Sequence, residues 1–219
     1  MQPEIPIEER LRISEIYASI QGESQFAGLP CVFVRLTGCN LRCTWCDSEF
    51  TFTGGDHRSI DDVVQAALAY GIEVVEVTGG EPLAQRQALP LMERLLQGGA
   101  TVLLETSGSI DISTVPAPVH VIMDLKPPDS GESEKNLWSN LAHLRPHHEV
   151  KFVLASRGDY EWARGVVRAH EWACSLLFSP VWGGVEPKDL VDWILEDKLP
   201  VRFQLQLHKV IWPADERGV

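Results

Sequence analysis

The chain has 219 residues, enough for one domain with a sizeable core and somewhat short of the roughly 250 of a full eight-fold βα barrel. Its 31 acidic against 19 basic side chains give a formal net charge of −12, which offers no footprint for a nucleic-acid backbone. No apolar run approaches the roughly eighteen residues of a membrane span, and residues 1–10 are acidic with no signal-peptide core. A cytoplasmic protein is expected, with no membrane or nucleic-acid partner. No repeat or low-complexity tract divides the sequence, so one domain over residues 1–219 is expected.

A first strand is predicted over residues 12–19, running into Ile20-Gln21-Gly22-Glu23-Ser24. A second, residues 31–36, is apolar except for Arg35 and leads straight to Cys39-Asn40-Leu41-Arg42-Cys43-Thr44-Trp45-Cys46. Arg35 reads either as a snorkelling side chain at an edge or as an anion clamp. Ser59-Ile60-Asp61-Asp62 is a capping-box-like start for a helix to about residue 70, with Gly71 as its stop. A strand over 72–77 ends in Thr78-Gly79-Gly80-Glu81-Pro82, and a helix over 90–97 ends at Gly98-Gly99. Strand 102–104 ends in Glu105-Thr106-Ser107-Gly108, and strand 119–123 ends in Asp124-Leu125-Lys126-Pro127-Pro128. Strand 149–154 precedes a helix over 159–172, and strand 176–178 ends in Ser179-Pro180. A helix over 187–195 leads into strand 201–207, which ends in His208-Lys209.

Strands alternating with helices imply parallel βαβ units and an α/β class. Nearly every strand is apolar until its last residues and then turns polar or glycine-rich. In parallel barrels those C-terminal ends form the active-site face. The expected architecture is therefore a partial (βα) barrel of parallel strands, with a cluster-binding loop at about residues 39–58 across its rim. Trp162, Trp172 and Trp193 fall in predicted helices and are expected to pack the core, whereas Glu186, Glu196 and Asp197 are expected on the solvated surface.

The C-x3-C-x2-C run brings three thiols together without distant chain, which in a chain lacking a secretion signal argues for metal ligation. Four-iron clusters need four ligands, and the run supplies three. Cys31 and Cys174 lie in apolar surroundings and read as buried, inert thiols. One iron would then be open to a ligand other than protein. A structural zinc site completed by His57 is the competing reading. Gly79-Gly80 after an apolar strand lets the backbone approach a ligand and leaves amides free to bind it.

C-x3-C-x2-C with Trp45 before the third cysteine resembles the radical S-adenosylmethionine (SAM) enzymes. There three cysteines hold a [4Fe–4S] cluster and SAM chelates the fourth iron. Ser19-Ile20-Gln21-Gly22-Glu23, Arg35-Leu36-Thr37-Gly38-Cys39 and Cys46-Asp47-Ser48 resemble the 7-carboxy-7-deazaguanine synthase family. So do Thr78-Gly79-Gly80-Glu81-Pro82, Glu105-Thr106-Ser107-Gly108-Ser109, Asp124-Leu125-Lys126-Pro127 and Gln206-Leu207-His208-Lys209, so that the likeness covers nearly the whole chain. Glycyl-radical activating enzymes share the cysteines and a Gly-Gly turn but not the Q-G-E prefix; they stand as the alternative.

The resemblance implies a lyase of queuosine biosynthesis, turning 6-carboxy-5,6,7,8-tetrahydropterin into 7-carboxy-7-deazaguanine with loss of ammonia. It implies that Cys39, Cys43 and Cys46 hold the cluster, and that Trp45, Asp47, Gly80, Asp124, Leu125, Lys126, Ser179 and Pro180 line SAM. Ile20, Gln21, Gly22, Arg35 and Thr78 would bind the pterin. Ser48 would be a Mg2+ ligand, where the family most often has Thr. It further implies an electron donor such as flavodoxin or ferredoxin, and a homodimer. Some members end at a proline whose carboxylate reaches the substrate. Here Pro213 is followed by residues 214–219, so residues 209–213 are expected to border the pterin, with acceptors near Trp212-Pro213 or from Asp215 or Glu216.

Overall fold

The computed structural model describes residues 10–219; the acidic segment before Arg10 lies outside them. Strands β1 (Arg10–Ile20) and β2 (Pro30–Leu36) form an antiparallel hairpin, and β3 (Asp56–Ser59) pairs antiparallel with the other edge of β1. From β2 onward the sheet is parallel: β4 (Val74–Gly79), β5 (Thr101–Thr106), β6 (His120–Asp124), β7 (Glu149–Leu154), β8 (Ser175–Pro180) and β9 (Arg202–Phe203) follow in order. The order is β3-β1-β2-β4-β5-β6-β7-β8-β9, with β3 and β9 as unpaired edges, so the barrel is partial and open. The parallel expectation fails for the first strand because the 21–29 connection is shorter than the dozen or so residues a parallel crossover requires.

Helices α1 (Ile60–Leu68), α2 (Ala88–Gln97), α3 (Arg157–Ala169) and α4 (Pro187–Asp197) pack on the outer face, and α5 (Leu207–Ile211) follows β9. The start of α1 is as expected: Ser59 Oγ accepts the Asp62 N–H at 3.1 Å. Ser156 caps α3 in the same way through the Asp159 N–H. No α-helix joins β5 to β6, and only short 3-10 turns join β6 to β7, so the strand–helix alternation is incomplete.

Four expectations are corrected. The strand predicted over 201–207 is only two residues long, because β8 supplies pairing partners for Arg202 and Phe203 alone. The chain then turns into α5, which carries His208, and the Leu207 N–H is bonded to the Gly22 carbonyl at 2.9 Å. Helix α3 stops at Ala169, so Trp172 lies beyond it. Its indole N–H bonds the Val167 carbonyl at 3.0 Å, and the ring still packs edge-on against Phe152. Asp197 is not bare surface: it accepts from Tyr160 Oη at 2.7 Å and from Arg164 and Arg168 at 3.0 Å each. Cys31 is buried as expected, but Cys174 is only half-buried.

The strand period of two separates the two faces of the sheet. Val32, Val34, Val75, Val77, Val102, Leu104, Val121, Met123, Val150 and Phe152 face the helices and form the main core. The opposite face begins with a small apolar layer of Cys31, Phe33, Val74, Leu103 and Ile122, against which Tyr17 and Phe26 pack. Two residues further along their strands that face becomes charged: Arg35, Glu76, Glu105, Asp124 and, on β7, Lys151. The apolar layer is thus the floor beneath a polar rim.

Candidate active site

The rim encloses a cavity of about 810 Å3, within the range of roughly 300–1,000 Å3 usual for small-molecule sites. Cys39, Cys43, Trp45, Cys46, Asp47 and Ser48 form part of its wall. Their loop is tied down at several points. The Gly38 N–H bonds the Thr51 carbonyl at 2.7 Å, the Thr44 N–H bonds the Ser130 carbonyl at 3.0 Å, and the Arg42 guanidinium lies over Phe52 at 4.0 Å. Asp47 accepts from Lys209 Nζ at 2.6 Å, joining the loop to α5. Burial pushes the Cys39 and Cys43 thiols up, so loading them with metal releases protons.

The strand end Gly79-Gly80 faces that loop, and both glycines are required there. Gly79 has φ 145°, and a Cβ on it would stand 2.2 Å from the Leu36 carbonyl oxygen. A Cβ on Gly80 would stand 2.4 Å from the Gly38 carbonyl oxygen and 2.6 Å from Cys39 Cβ. The next residue, Glu81, is fully buried and accepts from Leu83 N, Thr106 Oγ1 and Ser107 N at 3.0, 2.9 and 2.7 Å. It knits the ends of β4 and β5 together beneath the loop.

On the other side of the cavity, Arg35 is neither free nor at an edge. Its Nε donates to Glu15 at 2.8 Å and its Nη2 to Tyr17 Oη at 2.7 Å, leaving part of its five-donor fork on the cavity wall. Burial opposes its charge, and Tyr17 and Glu15 restore it. Ile20, Gln21, Gly22 and Thr78 reach the same cavity. The 21–29 loop that carries Gln21 and Gly22 is anchored from below, where the Gln25 N–H reaches both oxygens of buried Glu149 at 3.1 Å. Gly22 also makes room for α5: a Cβ there would meet His208 Nδ1 at 2.4 Å.

Lys151, only 3% exposed, is the charge at the centre of the rim. It donates to Glu23 at 2.7 Å and to Glu105, and lies 3.6 Å from Asp124. Lys126 pairs with Asp124 at 2.7 Å. Sequence reasoning missed Glu15, Tyr17, Glu76, Glu105 and Lys151 as site residues. The signal was present in Glu76 and Lys151, each a lone charge inside an apolar strand, as Arg35 is. Of the expected site residues, Leu125, Ser179 and Pro180 are not on the cavity wall: all three are buried behind it. Among the described residues no three His, Cys, Asp or Glu side chains converge closely enough for a single ion; the three thiols share a wall. His57, the fourth ligand of the zinc reading, is exposed on edge strand β3 and does not reach the cavity.

A cysteine-bearing loop facing a Gly-Gly strand end, at the C-terminal rim of an open parallel barrel, defines a radical SAM domain. Residues 33–125 match the Radical SAM superfamily model. The chain is 47% identical over 228 residues to 7-carboxy-7-deazaguanine synthase of Koribacter versatilis, covering 95% of this chain and 100% of that protein. Identity to the protein of the same name from Chlorobaculum tepidum is also 47%, covering 97% of this chain and 99% of the relative. The chain belongs to the 7-carboxy-7-deazaguanine synthase family. The crystal structure of QueE from Escherichia coli has the same fold, with a TM-score of 0.76 at 22% identity, covering 91% of this chain and 95% of that one.

Membership implies a [4Fe–4S] cluster and SAM as cofactors. The donor set fits both. Three thiols on one wall leave an iron for a non-protein ligand, and the glycines let the cysteine loop pack directly against the end of β4 at the cavity wall. Among the described residues no helix is long and apolar enough to cross a membrane.

Proposed function

We propose that the protein is a radical SAM lyase that converts 6-carboxy-5,6,7,8-tetrahydropterin into 7-carboxy-7-deazaguanine with loss of ammonia, on the route to queuosine. The observation that carries this reading is one cavity bounded by three loop thiols, a glycine wall and a rim of buried charge. It occurs in a chain 47% identical to two 7-carboxy-7-deazaguanine synthases over almost its full length. When bound, the cluster and SAM supply the one-electron chemistry that begins with hydrogen abstraction from the substrate. The residues of the chain hold, orient and shield.

In this reading Cys39, Cys43 and Cys46 hold the cluster, and Trp45, Asp47, Gly80, Asp124 and Lys126 flank SAM. Leu125, Ser179 and Pro180 support it from behind the wall. Ile20, Gln21, Gly22 and Thr78 bind the pterin, and Arg35 takes its carboxylate on the donors that Glu15 and Tyr17 leave over. The charged rim suits a small polar heterocycle better than the protein partner of a glycyl-radical activating enzyme. A flavodoxin or ferredoxin as electron donor, a homodimer and a cytoplasmic location are proposed on the family resemblance. The test is anaerobic reconstitution with iron and sulfide, followed by addition of SAM, reductant and the carboxytetrahydropterin. 7-Carboxy-7-deazaguanine and ammonia should appear in equal amounts; a brown, cluster-loaded protein that makes neither overturns the reading.

Mg2+ is proposed at Ser48, whose Oγ lies on the cavity wall 3.9 Å from Cys46 Sγ. Magnesium keeps several waters and accepts few protein ligands, so one hydroxyl with substrate oxygens can complete its shell. Added Mg2+ should stimulate turnover of the wild type and of Ser48→Thr, and far less that of Ser48→Ala. Identical titrations for wild type and Ser48→Ala would remove magnesium from this position.

Of the segment expected to border the pterin, Lys209 is on the cavity wall but residues 210–213 are not, and the residues after Pro213 are proposed to cover the substrate instead. Residues 214–219 all border the cavity, and the Arg217 guanidinium lies over the Phe50 ring at 3.8 Å. Phe50 also meets Arg35 at 5.9 Å, so the tail rests on the substrate side of the rim. Truncation after Lys209 keeps the Asp47 ion pair and should raise KM for the pterin while leaving cluster content intact. An unchanged KM would show the tail to be idle.

A further inference from the structure

Glu76 is a charged residue inside the apolar run Val74-Val75-Glu76-Val77 of β4, and it is 1% exposed. Its register partners are Phe33 on β2 and Leu103 on β5, which place it on the inner face at the level of the apolar floor. Its Oε2 accepts from Gln21 Nε2, and Gln21 Oε1 in turn accepts the Glu23 N–H at 2.7 Å. Glu105 lies two residues beyond Leu103 on the same face of β5, so its carboxyl is a close acidic neighbour of the Glu76 carboxyl. An ionised carboxylate only accepts, so two neighbouring buried carboxyls can bond to each other only when one of them carries a proton.

The surroundings decide where the proton sits. Glu105 receives Lys151 Nζ on one oxygen and Thr78 Oγ1 on the other, the latter at 3.2 Å. Glu76 has no cation in direct contact. The groups facing it are Tyr17 from β1, Glu23 from the 21–29 loop, Cys31 from β2, Glu105 from β5 and Lys151 from β7. Asp124 from β6 is reached only through Lys151. Most of these are acidic, and the one lysine is already committed to Glu23 and Glu105.

We propose that Glu76 is a positioning residue of the substrate site: as a neutral acid it donates to Glu105, keeping that carboxylate a charged acceptor, and it locks the Gln21 amide in one orientation. The proposal rests on the cavity being the pterin site. A pterin presents N–H donors along one edge, which need fixed acceptors once water is excluded. Burial first, and the Glu105 charge next, push the Glu76 carboxyl well above the usual carboxylate range. When rising pH does ionise it, two like charges meet across the contact and the acceptor geometry is lost. KM for the pterin should therefore rise on the alkaline side.

The test uses reconstituted holoenzyme, whose wild-type turnover of the carboxytetrahydropterin first establishes the site. Glu76→Gln keeps a donor toward Glu105 and an acceptor for Gln21 at every pH. It should fold, keep a KM near wild type at neutral pH, and lose the alkaline rise. Glu76→Leu removes both bonds and should raise KM roughly tenfold or more at all pH values, with kcat changed less. The infrared spectrum of folded wild-type protein at neutral pH should contain a protonated-carboxyl band that Glu76→Gln lacks. A wild type that turns over, together with a Glu76→Gln variant retaining both the band and the alkaline rise, overturns the proposal. An unchanged KM in Glu76→Leu does so independently.

Discussion

Replacing Cys39, Cys43 or Cys46 by Ala is expected to abolish cluster binding, whereas Cys31→Ala and Cys174→Ala should retain a full complement of iron and sulfide. The distinction follows from position. The first three thiols are on the cavity wall, and losing any one leaves two protein ligands for a cluster that needs at least three here. Cys31 is buried in the apolar floor, where burial and then Glu76 push its thiol far up. Cys174 packs against the outer core, its thiol pushed up to about 11 mainly by burial. Neither Cys31 nor Cys174 is on the cavity wall with the other three thiols, so neither is placed to share a cluster with them. Iron and sulfide analysis with the visible spectrum reads the outcome, and circular dichroism shows that each variant is folded. Loss of iron in Cys174→Ala would mean that the ligand set is wrong.

Lys151→Met is expected to have the largest effect on stability. The ammonium serves Glu23, Glu105 and Asp124 at once, and its removal leaves three carboxylates around an apolar side chain. Breaking a buried ion pair by deleting one partner typically costs about 3–5 kcal/mol, measurable as a lowered urea midpoint. The pH dependence identifies the cause. Burial works to raise the Glu105 carboxyl, but Lys151 overrides it and holds the group at about 2. A carboxyl depressed on folding contributes stability that is present above its unfolded value and lost as pH falls through its folded one. The wild type should therefore weaken between about pH 4.5 and 2, and Lys151→Met should lose much of that slope. A variant as stable as wild type with the same acid limb would show that the rim charges are solvated and independent.

Much of the fold was legible because the physics was local. The capping serine at residue 59, the glycine stops and the apolar strands of β4 to β8 each signal themselves within a few residues. The cysteine run and the glycine pair did the same for the site. What was missed depends on partners distant in sequence. The alternation in residues 201–207 has the period of a strand, yet only Arg202 and Phe203 find a neighbour to pair with. Asp197 looks like surface until Tyr160, Arg164 and Arg168 arrive from α3. The rim network joins Glu23, Glu105 and Lys151 across the sheet, and no sequence spacing announces it. The lone charges at Arg35, Glu76 and Lys151 were the available hint, since a charge inside a buried strand must be compensated by something.

The most direct measurement of the central claim is label transfer from substrate. Reconstituted protein is given carboxytetrahydropterin deuterated at C6, with SAM and a reductant, and the 5′-deoxyadenosine formed is analysed by mass. The account predicts deuterium in that product, alongside 7-carboxy-7-deazaguanine and ammonia. Unlabelled 5′-deoxyadenosine with no deazaguanine formed, from protein carrying its full iron complement, would contradict it.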